Sequence, residues 1–180
     1  MLIPIENLED IKSLLINISF PKFIKLDSVS CKDVCKGIFN NAEKVYETFK
    51  KSNRILNTLE QIPLIKRNHY LFVREVDKDI EKSIEVRCFV YLSKLVAVSS
   101  CVELNENQKG KLECFISNII KDIPYKDSVM DLAIHNDNLM LIEVNNFGAD
   151  SPAGAGLFNW KEDYFILYGG MTGICYRFSS

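Results

Sequence analysis

The chain has 180 residues, of which 47% are hydrophobic and 26% charged, so it holds enough apolar material for one domain or for two small lobes. The formal net charge of −2 gives no global attraction to nucleic acid or to an anionic membrane. The sequence contains no GxxxxGK[ST], which excludes a P-loop, and no GxGxxG, which argues against a Rossmann dinucleotide site.

The first part of the chain is predicted to form a short helix, a strand and a longer helix. The stretch "NLEDIKSLLINI" has the apolar spacing of a short helix, and "FPKFIKL" reads as a strand with a proline near its start. A polar loop, "LDSVSCKDVCKG", follows. Beyond it, apolar residues recur at steps that place them on one face of an amphipathic helix: Ile38, Ala42, Val45, Phe49, Leu56 and Leu59.

The remainder is predicted to be rich in strands. "HYLFVREV" and "IEVRCFVYLSKLVAVSSCVEL" are β-branched and aromatic, and the second should turn near Ser93-Lys94. "SVMDLAIH" and "LMLIEVN" form a further hairpin, and the tail "KEDYFILYGGMTGICYRF" should end in a helix and a short strand. A second helix is marked by Leu112, Phe115, Ile116, Ile119 and Ile120. Strands and helices mix without regular βαβ alternation, which favours the α+β class.

The cysteines and the start of the chain indicate the cellular compartment. None of the six cysteines forms a CxxC pair and neither histidine lies near them in sequence, so the spacing argues against a zinc site. The opening "MLIPIENLEDIKSLL" is interrupted by proline and by acidic residues, unlike a signal peptide, and no apolar run approaches the roughly 20 residues of a membrane span. We therefore expect a cytoplasmic protein with reduced thiols and no membrane partner.

The hairpin around "LIEVN" raises the question of what neutralises its acidic side chains. If residues 136–138 are a three-residue loop, His135 pairs with Leu139, Ala133 with Leu141, and Asp131 with Glu143. Two facing carboxylates repel each other unless a cation binds between them, and Asp131, Glu143 and Asn145 offer three oxygen ligands on one face. Magnesium typically takes one or two carboxylates and completes its shell with water and nucleotide phosphates. The alternatives are a solvated strand face with Asp131 one register off, or a structural Glu143 paired with Arg74 or Arg87.

Basic residues within or beside apolar strands are candidate phosphate ligands. Lys25 lies in "FPKFIKL", Arg74 in "LFVREV" and Arg87 in "EVRCFV", and together with the acidic hairpin they favour a nucleotide-phosphate site. Taken alone, an arginine in a strand is more often a snorkelling surface residue or a structural ion-pair partner. The segment "FGADSPAGAG" could bring backbone amides close to a ligand, or it could be a mobile surface loop.

Four stretches resemble the cell division cycle protein 123 family and related viral and bacterial ATP-grasp proteins. "EVRCFVYLSKLVAVSS" resembles the family's E-F-R-C-F-V strand and hairpin, and "FPKFIKLDSVSCKDV" is similar to K-L-N-W-S-x-P-[KR]-D-A, with Lys25, Lys32 and Asp33 in matching places. "HYLFVRE" is similar to a leucine-valine-leucine-arginine strand. "DLAIHNDNLMLIEVNNFGADSPAGAGLFNW" resembles D-x-Y, L-I-D-F-N-P and L-F-x-W, with E-x-N in place of D-x-N, so that the resemblance runs from about Phe20 to Trp160.

This resemblance implies an α+β, ATP-grasp-like fold in which two small lobes with mixed or antiparallel sheets clamp a nucleotide. We expect an N-terminal lobe over residues 1–70 and a C-terminal lobe with the magnesium hairpin over residues 71–180. The resemblance implies that Lys25 contacts ATP, with Lys32 and Arg74 as further cofactor-binding residues, and that Arg87 faces the phosphates as a catalytic residue. It also implies that magnesium is held by Asp131, Glu143 and Asn145.

Two functional classes follow from the resemblance. The first is an ATP- and magnesium-binding assembly factor, whose protein partner would be a translation initiation factor subunit. The second is an ATP-dependent carboxylate–amine ligase that forms peptide bonds, whose acceptor would be a peptide or an amino acid. The sequence shows neither the acceptor pocket nor a histidine or cysteine placed to activate an acceptor, so turnover of ATP is left open, and no strong nucleic-acid signal is present.

Overall fold

The computed structural model describes residues 1–27, 29–60, 69–151 and 153–179. The chain divides into two compact units, Met1–Asp77 and Lys78–Ser180. The predicted lobe boundary between residues 70 and 71 falls inside a strand, His69–Glu75, that belongs wholly to the first unit. Residues 61–68 of the predicted N-terminal lobe lie outside the described residues.

The first unit contains a four-stranded antiparallel sheet in the order β1-β4-β2-β3. Its strands are β1 (Leu2–Ile5), β2 (Lys22–Leu26), β3 (Ile38–Phe39) and β4 (His69–Glu75). A 3-10 turn at Leu8–Asp10 leads into α1 (Ile11–Leu14), and α2 (Ala42–Phe49) and α3 (Asn53–Glu60) follow β3. β1 was not predicted; it lies at the sheet edge, where Pro4 is tolerated because an edge strand needs fewer backbone donors.

The predicted long helix between Ile38 and Leu59 is wrong, because the structure has a strand and two helices there. Ile38 pairs with Phe23 across β2 and β3. After α2, the Ser52 hydroxyl accepts a hydrogen bond from the Ile55 amide at 3.2 Å, in the manner of a helix N-cap, so a new helix starts. The apolar spacing resembles one helix because α2 and α3 bury their apolar sides in the same core.

The second unit contains a five-stranded sheet in the order β8-β7-β5-β6-β9. Its strands are β5 (Ile84–Tyr91), β6 (Lys94–Ser100), β7 (Ser128–His135), β8 (Asn138–Asn146) and β9 (Cys175–Phe178). All neighbours are antiparallel except β6 and β9, which run parallel. The described helices are α4 (Lys78–Glu81), α5 (Glu106–Ile119) and α6 (Tyr164–Leu167), so the α+β class with antiparallel and mixed sheets is confirmed.

The two faces of the second sheet are covered by different elements. One face packs against α5, which starts with a capping box between Asn105 and Gln108 and buries Leu112 and Ile116. The other face packs against residues 153–160, which we call the strap, and against α6. β7 is buried along almost its whole length because it lies inside the sheet with both faces covered.

Among the described residues, no helix combines the length and the apolar character needed to cross a lipid bilayer.

Candidate functional site

The acidic hairpin has the predicted Asp131–Glu143 pairing, but a different turn leads to it. The loop has two residues, Asn136 and Asp137, with φ values of 47° and 63°, as in a tight hairpin turn. His135 therefore pairs with Asn138, and Ala133 with Met140, so the predicted pairs with Leu139 and Leu141 are wrong. The register then shifts between Asp131 and Leu132, which restores Glu143 as the partner of Asp131.

The register shift is a β-bulge at Ile142, and it decides which side chains of β8 face which side of the sheet. Leu132 pairs with Leu141, and Asp131 pairs with Glu143, so Ile142 is the extra residue on β8. Leu141 and Val144 consequently both pack on the α5 side, although they are three residues apart. Glu143 and Asn145 face the opposite side with Asp131, and both are half-buried.

The positive charge nearest to Asp131 is the guanidinium of Arg87, which lies on the neighbouring strand directly opposite it. The Nε and Nη2 atoms of Arg87 each donate a hydrogen bond of 2.8 Å to one carboxylate oxygen of Asp131. Asp131 is only 2% exposed, so this is a buried ion pair. The hydrogen bonds that Arg87 donates to Asp131 raise the pKa of Arg87 above its usual value, so the guanidinium stays charged.

The donor set on this face suits a hard cation chemically. Asp131, Glu143 and Asn145 provide two carboxylates and one amide oxygen, the ligand types that magnesium prefers. Arg87 occupies both oxygens of Asp131, but each carboxylate oxygen has a second lone pair with which to bind a cation. The Nδ2 of Asn145 is buried without a hydrogen-bond partner, so nothing bonded to that nitrogen fixes the orientation of the amide. Among the described residues, no cluster of three His, Cys, Asp or Glu side chains could hold a metal ion, so any cation here depends on the Asn145 amide as well.

The first unit brings two of the predicted basic residues to one face of its sheet. Lys25 pairs with Phe72, and Arg74 pairs with Phe23, on the adjacent strands β2 and β4. These four side chains face away from the core that β2 and β4 bury. The Arg74 guanidinium lies 4.8 Å from the centre of the Phe23 ring, and its Nε atom is buried without a hydrogen-bond partner.

Lys32, the third predicted basic residue of the first unit, does not lie on β2 or β4. It lies exposed in a turn after β2 rather than on a strand. Its matched neighbour Asp33 is structural: the carboxylate accepts hydrogen bonds from the Ser52 hydroxyl at 2.6 Å and from the Arg54 amide at 3.3 Å. Lys32 is therefore the predicted cofactor residue with the least structural support in the first unit.

The glycine- and alanine-rich segment is fixed to the sheet. The Nη1 of Arg87 donates to the carbonyl oxygen of Ala153, and Ser99 Oγ accepts a hydrogen bond of 2.9 Å from the Leu157 amide. A Cβ atom on Gly156 would lie 2.6 Å from Ser99 Oγ, so glycine is what permits this close approach. These contacts bind the strap to the sheet, so they support neither of the two sequence interpretations, a ligand-facing amide loop or a mobile loop.

The residues that hold the far end of the strap could not be identified from the sequence. Arg177 on β9 forms a two-pronged ion pair with Asp163, with distances of 2.5 and 2.7 Å, and its Nη1 also donates to the carbonyl oxygen of Leu157. The arginine stacks 4.3 Å from the ring of Phe158. The only sequence signal was a lone arginine in the apolar tail "ICYRF", and nothing in the spacing identifies its partner.

Comparisons with known proteins identify the family. The D123 family model matches residues 38–165, and the chain therefore belongs to the D123 family, the family of Cdc123. A CDC123-like protein of Acanthamoeba polyphaga mimivirus is 31% identical over 114 residues, which cover 54% of this chain and 35% of the viral protein. The chain thus spans about a third of the length of that relative.

The fold is similar to that of a solved member of the family. The structure of Cdc123 from Schizosaccharomyces pombe matches with a TM-score of 0.69 and 23% identity, over 98% of this chain and 78% of the yeast protein. A RimK domain ATP-grasp protein from Sphaerobacter thermophilus matches with a TM-score of 0.42 and 14% identity, over 81% and 51% of the two chains. The family predicted from the four sequence stretches is confirmed, and the predicted α+β fold is the fold shared with Cdc123.

Proposed function

We propose that this chain binds ATP together with magnesium. The observation that carries the proposal is the shared face of β7 and β8, where Asp131 lies opposite Glu143 and Asn145 follows on the same side. Membership of the D123 family supports the same conclusion, since Asp131 and Glu143–Asn145 fall at the positions that resemble the family's D-x-Y and D-x-N, with E-x-N here in place of D-x-N.

In this proposal each side chain on the shared face of β7 and β8 has a separate role. Glu143, Asn145 and Asp131 hold magnesium, which when bound neutralises charge on the phosphate oxygens of ATP. Asp131 keeps its ion pair with Arg87, so the guanidinium fixes the carboxylate in place. Glu143 is half-buried and therefore accessible to a cation from the solvent side.

Within the first unit, we propose the basic and aromatic face of β2 and β4 as a phosphate-binding surface. Lys25 and Arg74 supply its positive charge, and Phe23 and Phe72 lie beside them as flat apolar surfaces. Arg74 has an Nε atom with no hydrogen-bond partner, which a phosphate oxygen would satisfy. Lys32 extends the positive charge from an exposed turn.

For the biological role we propose an assembly factor of the Cdc123 type, in which bound ATP shapes a surface for a translation initiation factor subunit. This rests on family membership. A carboxylate–amine ligase is the alternative outcome of the test, with a peptide or amino acid as acceptor and ATP as the phosphoryl donor.

Calorimetric titration of the full chain with ATP tests the binding proposal, with and without magnesium. Lys25→Met and Glu143→Gln should each weaken binding at least about tenfold, or roughly 1.4 kcal/mol. Lys22→Met is the matched control for Lys25, because Lys22 lies on the same strand and pairs with the exposed Glu75 at 2.7 Å. Asp137→Asn is the control for Glu143, because it removes a carboxylate at the exposed hairpin tip. A parent chain that takes up no ATP in the presence of magnesium would refute the proposal.

Turnover and partner binding are then measured separately. Release of ADP is followed with amino acids or peptides as acceptors, and capture of translation initiation factor 2 subunits is measured with and without ATP. ATP-dependent capture without ADP release supports the assembly role. Acceptor-dependent ADP release, with a new amide bond found by mass spectrometry, would replace it with the ligase.

A further inference from the structure

The guanidinium of Arg87 contacts two separate parts of the second unit. Two of its nitrogen atoms hold both oxygens of Asp131 at 2.8 Å. The third, Nη1, donates to the carbonyl oxygen of Ala153 and lies 3.4 Å from that of Gly154. Arginine can do this because its five N–H groups point in fixed directions from one plane.

Charge explains why this guanidinium stays where it is. The Arg87 side chain is 20% exposed and that of Asp131 only 3%, so separating them would leave a carboxylate buried without a partner. Asp131 therefore fixes the plane of the guanidinium, and that plane determines where Nη1 points. The position of Nη1, which donates to the strap, is therefore set by Asp131 of the acidic hairpin.

The face that the strap covers is the face of the candidate metal ligands. Phe158 and Trp160 of the strap pack edge-to-face on Phe89, which lies two residues from Arg87 on β5. Asn145 pairs with Val129, which pairs in turn with Phe89, so the strap and Asn145 lie on one side of the sheet.

We infer that Arg87 is a positioning residue that joins Asp131 to the beginning of the strap and so holds residues 153–154 over the face of Glu143 and Asn145. The functional meaning of that face rests on the proposed function, but the joint itself does not. Arg87 acts through Asp131 and the strap, which differs from the phosphate contact that the family resemblance implies.

Hydrogen exchange of the full chain, measured by mass spectrometry without nucleotide or metal, tests the joint. Arg87→Lys keeps a positive charge beside Asp131 but removes the planar guanidinium that contacts Asp131 and the strap at the same time. The backbone amides of peptides covering residues 153–157 should therefore exchange about tenfold faster. The Arg87→Met/Asp131→Asn double variant removes both charges together and leaves no unpaired ion in the core. Its strap should also exchange faster, while α5 and β9 exchange as in the parent.

Asp137→Asn is the matched control, since it removes a hairpin carboxylate that pairs with Lys111 of α5, the helix on the opposite face of the sheet from the strap. It should leave the exchange rate of the strap amides unchanged.

If the strap amides of the double variant exchange at the parental rate, the inference is overturned, because Ser99 and Arg177 would then suffice to hold the strap. Acceleration spread evenly over the whole second unit would overturn it too, since Arg87 would then act on stability alone. If Arg87→Lys does not fold, the double variant decides. A parent that fails to bind ATP would remove the proposed function and leave this result standing.

Discussion

Asp131 of β7 lies directly opposite Glu143 of β8, and the bulge at Ile142 puts them there. Facing carboxylates repel each other across an antiparallel pair. Here the repulsion is reduced because Arg87 neutralises Asp131 through two hydrogen bonds. Glu143 is the second carboxylate of this face, and it lies half-buried on the edge strand β8.

Glu143→Gln should separate metal binding from folding. We expect the melting temperature without ligand to stay equal or rise slightly, since a like-charge strand pair costs roughly 0.2–1 kcal/mol. The parent should gain about 2.7 kcal/mol at a hundredfold excess of magnesium and ATP over the dissociation constant, and the variant should lose this gain. Thermal melts with and without ligand measure both. A variant that melts far lower alone, yet gains as much from ligand, would indicate a structural ion pair instead.

Gly156→Ala should loosen the strap and destabilise the second unit. Gly156 has a φ of +59°, and an added Cβ would lie 2.6 Å from Ser99 Oγ, so both backbone strain and a clash oppose alanine. We expect a loss of about 1–3 kcal/mol in chemical denaturation. Gly110 is the matched control: it lies in α5 with no atom within 4 Å of an added Cβ, so Gly110→Ala should stabilise by about 0.5–1 kcal/mol. Equal effects of the two substitutions would contradict the tight approach of the strap.

The Arg177–Asp163 pair should make stability depend on pH in the acid range. Hydrogen bonds from Arg177 hold the pKa of Asp163 below its usual value, so the pair stabilises the fold above the unfolded pKa near 4. That contribution is lost as the pH falls through the lower folded pKa. Asp163→Asn should cost about 1 kcal/mol at neutral pH and almost nothing once the carboxyl is protonated. Denaturation at several pH values measures this, and the exposed neighbour Glu162, changed to Gln, should show no such loss.

The cysteines should differ in reactivity according to burial. Cys101 and Cys114 are exposed and should react fast with a maleimide in the native protein, while Cys88 is buried, which raises its pKa and removes thiolate. Burial also raises the pKa of Cys31 to about 12, and its sulfur lies 3.7 Å from that of Cys35. In denaturant without reduction all six should react. A stable Cys31–Cys35 disulfide, seen as a mass deficit, would contradict the expectation of reduced thiols.

Most strands of the second unit were predictable because their side chains alternate or run continuously apolar. β7 was predicted with its observed ends, and β8 within one residue at each end. The Asp131–Glu143 pairing was predicted from a loop one residue too long, and the bulge at Ile142 compensated for that error. The sequence did carry a trace of the bulge, since "LMLIEV" interrupts strict alternation at Ile142.

The partners of the charged residues were not predictable, because they depend on tertiary packing. Arg87 had two acidic candidates one strand or two strands away, and only the strand order shows that Asp131 is its neighbour. Arg177 can pair with Asp163 because β9 lies beside β6. The strap contacts Ser99, which also lies on β6. A local window of sequence contains none of these pairs.

Trp160, the single tryptophan of the chain, is an intrinsic fluorescence probe within the strap. Its ring packs against Phe89 at 5.7 Å and Phe147 at 4.9 Å, measured between ring centroids, so it senses an apolar surrounding only while the strap is seated. Fluorescence excited at a wavelength that tryptophan absorbs and the seven tyrosines do not would therefore come from Trp160 alone. A shift of its emission to longer wavelength, at temperatures where the far-ultraviolet circular dichroism is unchanged, would therefore make opening of the strap visible in real time without any chemical modification.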